Sequence, residues 1–197
     1  MSEFMKSRTA ENLMKAFAGE SQARNRYTYY SKIALKQGFN QIANIFMETA
    51  ENEKEHAKLF HKKLVEHGVD GEVIVINGAG YPIALSNDTF KNLEYSANGE
   101  HEEWNDIYPE FAKIADEEGY KDVASLFKLI AKIEKEHEER YRKLAKNVKE
   151  NSVFKKAGKV LWKCLNCGHV SECTESPEEC PTCKHPKGYF EVQVENY

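Results

Sequence analysis

The sequence predicts a mainly α-helical protein: a four-helix bundle with one long crossover, followed by a small cysteine-rich β domain. Three observations predict it. Two pairs of long period-3.6 segments are each joined by a short glycine turn, the second pair repeats the first, and all five cysteines fall between Cys164 and Cys183. The 197 residues are 41% hydrophobic and 30% charged with only five prolines, which suits one sizeable helical core plus a small module. The expected division is residues 1–150 for the bundle and 151–197 for the cysteine module.

Taken in order, helical periodicity runs from about Thr9 to Lys36 and from about Asn40 to Glu66, with Gly38 and Gly68 placed to end each helix in a left-handed residue. Two long helices joined by so tight a turn are antiparallel neighbours. The stretch from Gly68 to Asn87 holds four glycines, one proline and the run Val73-Ile74-Val75-Ile76, and is long enough to cross from one end of a bundle to the other. Periodicity returns from about Asp88 to Glu118, breaks at Gly119 and continues from about Tyr120 to Lys149. With an offset of 81, Ile33, Ala34, Gly38, Ala43 and Phe46 fall on Ile114, Ala115, Gly119, Ala124 and Phe127, so the bundle reads as a duplicated hairpin. Gly19-Glu20 matches Gly99-Glu100 at an offset of 80, whereas Tyr27 matches Tyr108 at 81. One extra residue therefore lies between Glu100 and Tyr108, and a helix absorbs such an insertion as a π-bulge. Pro109, which lacks a backbone donor, is tolerated beside that break. From about Val153 the chain changes to Trp162, two Cys-x-x-Cys pairs, Pro177, Pro181, Pro186 and an alternating Tyr189–Val194 stretch, as in a small β module around a metal.

The tetrapeptide Glu-Lys-Glu-His occurs twice, at Glu53 to His56 and at Glu134 to His137. Positions i and i+3 share a helix face, so each copy directs a carboxylate and an imidazole at one point. Two such pairs, each matched by a Glu on the preceding helix, are the ligand set of a carboxylate-bridged di-iron or di-manganese bundle. Glu53 and Glu134 are expected to bridge, with Glu20 and His56 on one metal, Glu100 and His137 on the other. Glu103, on the inserted turn and without a counterpart in the first half, is expected as an additional ligand. Carboxylates are hard, anionic and able to bridge, and two imidazoles leave room for an exogenous ligand. Glycine inside a helix costs about 0.5–1 kcal/mol, and either close helix packing or simple inheritance through the duplication would account for Gly19 and Gly99 immediately before two of the expected ligands. Glu55 and Glu136 face outward, and His61, His67 and His101, without a partner at ligand spacing, read as surface residues. Tyr27 lies seven residues after Glu20 on the same face, with Tyr108 as its repeat mate; both suit the core, or phenolic donors to the ligands.

Cys164, Cys167, Cys180 and Cys183 form two Cys-x-x-Cys pairs separated by twelve residues, a tetrathiolate signal that spacing alone leaves open between iron and zinc. A redox-active di-iron centre needs an electron supply, and a one-iron tetrathiolate provides it. Cys173 lies off both pairs, as a spare thiol or a substitute ligand. A net charge of −4 with intermixed signs offers no field for nucleic acid and no basic face for a membrane. No apolar run suits a signal peptide or a membrane span, so a cytoplasmic location is expected. No Gly-x-Gly-x-x-Gly run is present to bind a dinucleotide.

Over essentially its whole length the chain resembles the rubrerythrin family. The segment from Ala18 to Tyr27 is similar to that family's first helix. Glu53/His56, Gly99-Glu100, Glu103, Tyr108-Pro109 and Glu134/His137 match its site, and the two cysteine loops its rubredoxin-like domain. Lys184 departs from free-standing rubredoxins, where glycine is usual. The resemblance implies a ferritin-like di-iron bundle joined to an FeS4 domain, acting as a hydrogen peroxide reductase in oxygen-sensitive or microaerophilic cells. It implies that the di-iron centre delivers two electrons to peroxide and that the FeS4 iron restores them singly. Tyr27, Tyr108 and Glu103 are then the expected catalytic residues, with the iron held by Glu20 exchanging His56 for Glu103 on oxidation. It further implies electrons from NAD(P)H through a separate reductase or rubredoxin, and a homodimer in which one subunit's FeS4 domain serves the other's di-iron site. A ferroxidase that stores iron is the competing reading and leaves the cysteine module idle; a zinc-ribbon binding module leaves the bundle's carboxylates unexplained.

Overall fold

A computed structural model describes residues 3–196. Its helices are α1 (Arg8–Lys36), α2 (Asn40–Glu66), α3 (Thr89–Glu102), α4 (Tyr108–Glu117) and α5 (Lys121–Lys149). A π-helical turn, Glu103–Ile107, carries α3 into α4 without a gap, so these two form the third rod of a four-rod bundle. The Tyr108 N–H reaches back five residues to the Glu103 carbonyl, which places the extra residue in the interval where the repeat offset changes. Pro109, just after the turn, has no N–H to leave unpaired.

Helix ends follow from particular residues. Ser7 accepts the Ala10 N–H at 3.1 Å and Asp88 accepts the Phe90 N–H at 2.9 Å. The Glu118 carboxylate takes the backbone N–H groups of Arg8 at 3.1 Å and Thr9 at 2.8 Å, tying the start of α1 to the end of α4. Gly38, Gly68 and Gly119 lie at φ of 78°, 84° and 88°. The residue after each returns its N–H to a carbonyl five back: Phe39 to Ala34, Val69 to Leu64 and Tyr120 to Ala115. The crossover between α2 and α3 has no regular structure and lies along α1, where Tyr81 donates to the Lys15 carbonyl at 3.1 Å and Tyr30 donates to the Ala84 carbonyl.

The bundle interior has two apolar clusters. One is centred on Leu13, Phe60, Tyr108, Phe127 and Ile130, the other on Tyr27, Tyr30, Phe46, Leu93 and Tyr141. Between them lies a layer of carboxylates and imidazoles.

The cysteine module is an antiparallel sheet of β1 (Lys155–Cys164), β2 (Val170–Glu175) and β3 (Phe190–Val192) in the order β2-β1-β3. Only Phe190–Val192 of the alternating C-terminal stretch is strand; Tyr189 closes a single 3₁₀ turn, Lys187–Tyr189, whose N–H bonds the Pro186 carbonyl. Trp162 and Phe190 pack with Cys164 and Cys180 in a small core. The module rests on the α1–α2 turn, where Phe154 stacks on Phe39 at 6.0 Å. A Cβ added to Gly188 would fall 2.3 Å from the Gly38 carbonyl oxygen, so this contact admits only glycine.

Candidate metal centre

Glu20 from α1, Glu53 and His56 from α2, Glu100 from α3, and Glu134 and His137 from α5 meet in the polar layer, none more than 5% exposed. Ligand atoms of Glu20, Glu53, His56 and Glu134 lie within 4.8 Å of one another, as do those of Glu53, Glu100, Glu134 and His137. Glu53 and Glu134 belong to both groups. Each splits its oxygens: His56 Nδ1 lies 2.8 Å from Glu53 Oε2 and 2.9 Å from Glu134 Oε1. His137 Nδ1 lies 3.2 Å from Glu53 Oε1 and 2.8 Å from Glu134 Oε2. The outer carboxylates stand farther off, each 3.9 Å from its own histidine.

The pairing among these atoms is incomplete, for only His56 Nδ1 and Glu53 Oε2 form a hydrogen bond, at 2.8 Å. Glu20 Oε2, Glu53 Oε1, both Glu134 oxygens and His137 Nδ1 are buried and make no hydrogen bond. A buried unsatisfied polar atom costs about 1–3 kcal/mol, and five in one layer suit lone pairs that ligate cations rather than bond one another. Hard oxygen donors with two imidazoles fit two iron ions.

Protonation tells the same story. Burial, with the neighbouring charges of Glu134, Glu53 and Glu103, holds the Glu20 and Glu100 carboxyls well above the usual range. Burial alone would lower the two histidines, yet contacts with Glu134 and Glu53 outweigh it and raise His56 to about 10 and His137 to about 9. Burial likewise opposes ionisation of Glu53, but His137 and His56 bring it down to about 2.

Tyr27 on α1 donates to Glu100 Oε1 at 2.5 Å, and Tyr108 on α4 donates to Glu20 Oε1, so each phenol orients the outer carboxylate of the opposite hairpin. Burial, with the nearby carboxylates, raises both phenols well above 10 and keeps them donors. Glu103 belongs to neither four-residue group. It stands half-buried beside them, its carboxyl raised by burial and by Glu134 and Glu53, with the Arg26 guanidinium pulling the other way.

Three sequence expectations are corrected. Close packing does not explain Gly19 and Gly99: an added Cβ would meet only the Tyr81 ring, at 3.8 Å, at Gly19 and nothing within 4 Å at Gly99. His67 is half-buried, stacked on Phe4 at 4.5 Å and 3.2 Å from Asp122. His101 is likewise engaged, 3.0 Å from Glu138, which also accepts Trp104 Nε1 at 2.5 Å and Arg142 Nε at 2.7 Å. This network anchors the π-helical turn to α5 and went unread in the sequence. Its signal was another break in the repeat, since Ala57 stands at the position equivalent to Glu138. His61 is exposed, as expected, and tilts against Phe17.

In the β module the four thiols lie within 4.8 Å of one another, with Cys164–Cys183 at 3.7 Å and Cys167–Cys180 at 3.6 Å. Metal–sulfur bonds of about 2.3 Å give a tetrahedron with edges of about 3.8 Å, whereas a disulfide needs about 2.05 Å. The two loops match: the Gly168 N–H bonds the Cys164 carbonyl and the Lys184 N–H the Cys180 carbonyl, both at 2.9 Å. Lys184 therefore holds the left-handed position that Gly168 holds in the first loop, at φ of 62° against 76°. A backbone hydrogen bond from His185 lowers the Cys183 thiol to about 6. Cys173 lies outside the cluster, its carbonyl accepting Trp162 Nε1 at 3.0 Å.

Among the described residues no helix is long and apolar enough to cross a membrane. Residues 11–145 match the family model described as rubrerythrin, and residues 162–191 the model for the rubrerythrin rubredoxin-like domain. The chain is 59% identical to Rubrerythrin-1 of Clostridium acetobutylicum and 56% identical to rubrerythrin of Clostridium perfringens, over 97% of each chain in both cases. A solved structure of fully reduced nigerythrin is 33% identical with a TM-score of 0.63, covering 94% of this chain and 86% of that one. A bacterioferritin of Desulfovibrio desulfuricans, at 23% identity and a TM-score of 0.64, shares the fold. The chain belongs to the rubrerythrin family, with a di-iron bundle and a one-iron, four-cysteine rubredoxin-like module.

Proposed function

We propose that the protein is a hydrogen peroxide reductase, in which the bundle reduces peroxide to water and the cysteine module relays electrons to it. The observation that carries this reading is the pairing, in one chain, of a four-carboxylate, two-histidine cluster with a tetrathiolate. Two irons in the bundle would supply the two electrons that cleave the O–O bond, in H2O2 + 2 e⁻ + 2 H⁺ → 2 H2O. Glu53 and Glu134 would bridge them, with Glu20 and His56 at one ion and Glu100 and His137 at the other; the split of the central carboxylate oxygens between the two histidines supports this. Tyr27 and Tyr108 hold the outer carboxylates in place and keep their own protons at the site. Glu103, beside the cluster, would be a reserve ligand able to replace His56 on the iron held by Glu20 when the centre is oxidised, since carboxylate favours the higher charge.

Electrons would come from rubredoxin or an NAD(P)H-dependent reductase, in a cytoplasm reducing enough to keep the thiols free. They would pass between subunits of a homodimer. The cysteine module touches its own bundle at Gly38, and Gly38 lies eighteen residues beyond Glu20 along α1, about 27 Å at 1.5 Å per residue. That supports delivery to a second copy's di-iron layer rather than to its own. A storage ferroxidase would have no use for the tetrathiolate.

The test is anaerobic reduction of the iron-loaded protein, mixing with hydrogen peroxide or oxygen, and observation of the ferric-thiolate band. Fast return with peroxide and slow return with oxygen is expected. Equal rates, or zinc in the cysteine site, would overturn the assignment.

A further inference from the structure

A cavity of about 300 Å³ lies beside the metal layer, walled by α1, the π-helical turn and the crossover. Gly19, Gly99, Arg26, Tyr81, Glu103 and Tyr108 line it. Tyr108 and Glu103 connect it to the centre, the first through its hydrogen bond to Glu20, the second through its charge. Gly19 and Gly99 immediately precede Glu20 and Glu100, at repeat-related positions inside α1 and α3. Neither has a left-handed backbone, and neither is crowded: a Cβ on Gly99 meets nothing within 4 Å, and one on Gly19 meets Tyr81 at an ordinary 3.8 Å. Alanine would therefore fit at both and make a better helix. Two glycines that no packing or conformation requires, both facing one cavity, point to space kept clear for a molecule. Arg26 lies on the same wall, and its Nη1 is buried and has no hydrogen-bond partner. Turned toward the cavity, the guanidinium would donate to a small hydroxylic or anionic guest.

We infer that Gly19 and Gly99 hold open the entry route of a small hydroxylic ligand to the di-iron centre, with Tyr81 as its outer wall and Arg26 as the donor along it. The inference rests on the peroxide reading above for the identity of that ligand. Azide replaces peroxide in the test, so the route and the reaction can fail separately.

In the iron-loaded, oxidised full-length protein, azide association is followed by stopped-flow absorbance. Gly99→Leu and Gly19→Val should slow it by at least about tenfold, equivalent to about 1.4 kcal/mol on the entry barrier, with iron content and the FeS4 band unchanged. Tyr81→Ala should speed it. Gly99→Ala should raise the melting temperature of the metal-free protein while slowing azide modestly. Unchanged azide association in Gly99→Leu would overturn the inference, and so would a lower melting temperature in Gly99→Ala, which would return the glycine to a packing role. Should Gly99→Leu not load iron, the Gly99→Ala pair of measurements decides. Slowed azide entry in a protein that turns over no peroxide would fault the peroxide reading alone.

Discussion

Tyr27 and Tyr108 illustrate what one side chain contributes to the layer. Each is a buried phenol that donates to an outer carboxylate, so Tyr27→Phe or Tyr108→Phe keeps the ring packing and removes a hydrogen bond to a charged group. Loss of such a bond behind a metal ligand lowers metal affinity or activity by about 10–100-fold, and an iron titration of each variant checks it. The histidines give a pH signature. Their folded values, about 10 for His56 and about 9 for His137, exceed the ordinary 6.5, so their contribution is complete below 6.5 and is lost as pH rises through 9 and 10. Glu20 and Glu100, also raised, lose stability as pH climbs above their ordinary 4.5. Glu53, depressed to about 2, acts oppositely but only as pH falls below 4.5. The metal-free protein should therefore melt at progressively lower temperature from about pH 5 to about pH 10, and iron loading should release protons. A melting temperature that climbs across that range would contradict the assignment of these protons. The convergence of Glu53 with His56 and of Glu134 with His137 was legible from spacing, because i and i+3 on a helix share a face whatever the helix packs against; Glu20 and Glu100 were legible from the repeated Gly-Glu one helix earlier. Arg26, Tyr81 and Glu138 were not, since each acts across elements far apart in sequence.

The π-helical turn is the element in which the two hairpins differ. Its extra residue was legible as a change of repeat offset, and Pro109 agreed with it. What holds the turn was not legible, because Trp104 and His101 reach Glu138 only once the third rod packs against α5. Deleting Asn105 should restore an ordinary helix and rotate Glu103 away while leaving the six central ligands in register. Both this deletion and Glu103→Ala should then disturb the oxidised di-iron spectrum more than the reduced one. Equal disturbance of both states, measured on iron-replete protein, would remove Glu103 from the redox cycle.

At the scale of the molecule, the Gly188–Gly38 contact fixes the cysteine module at the turn end of the bundle, far from its own di-iron layer. Mixing a chain carrying Cys164→Ser with a chain carrying Glu134→Ala, after dissociation and reassembly, should therefore recover peroxide turnover that neither has alone. No recovery in verified mixed dimers would place the electron path within one chain. The fold class, the duplicated hairpin, the two ligand tetrapeptides and the tetrathiolate were determined by the sequence itself, because helical period, i,i+3 spacing and Cys-x-x-Cys loops are local geometry. Tertiary structure alone decided three things: which carboxylate oxygens face which histidine, that Gly19 and Gly99 border open space instead of a packed helix, and where the two modules touch. Each depends on atoms brought together from distant parts of the chain, and no local pattern records that convergence.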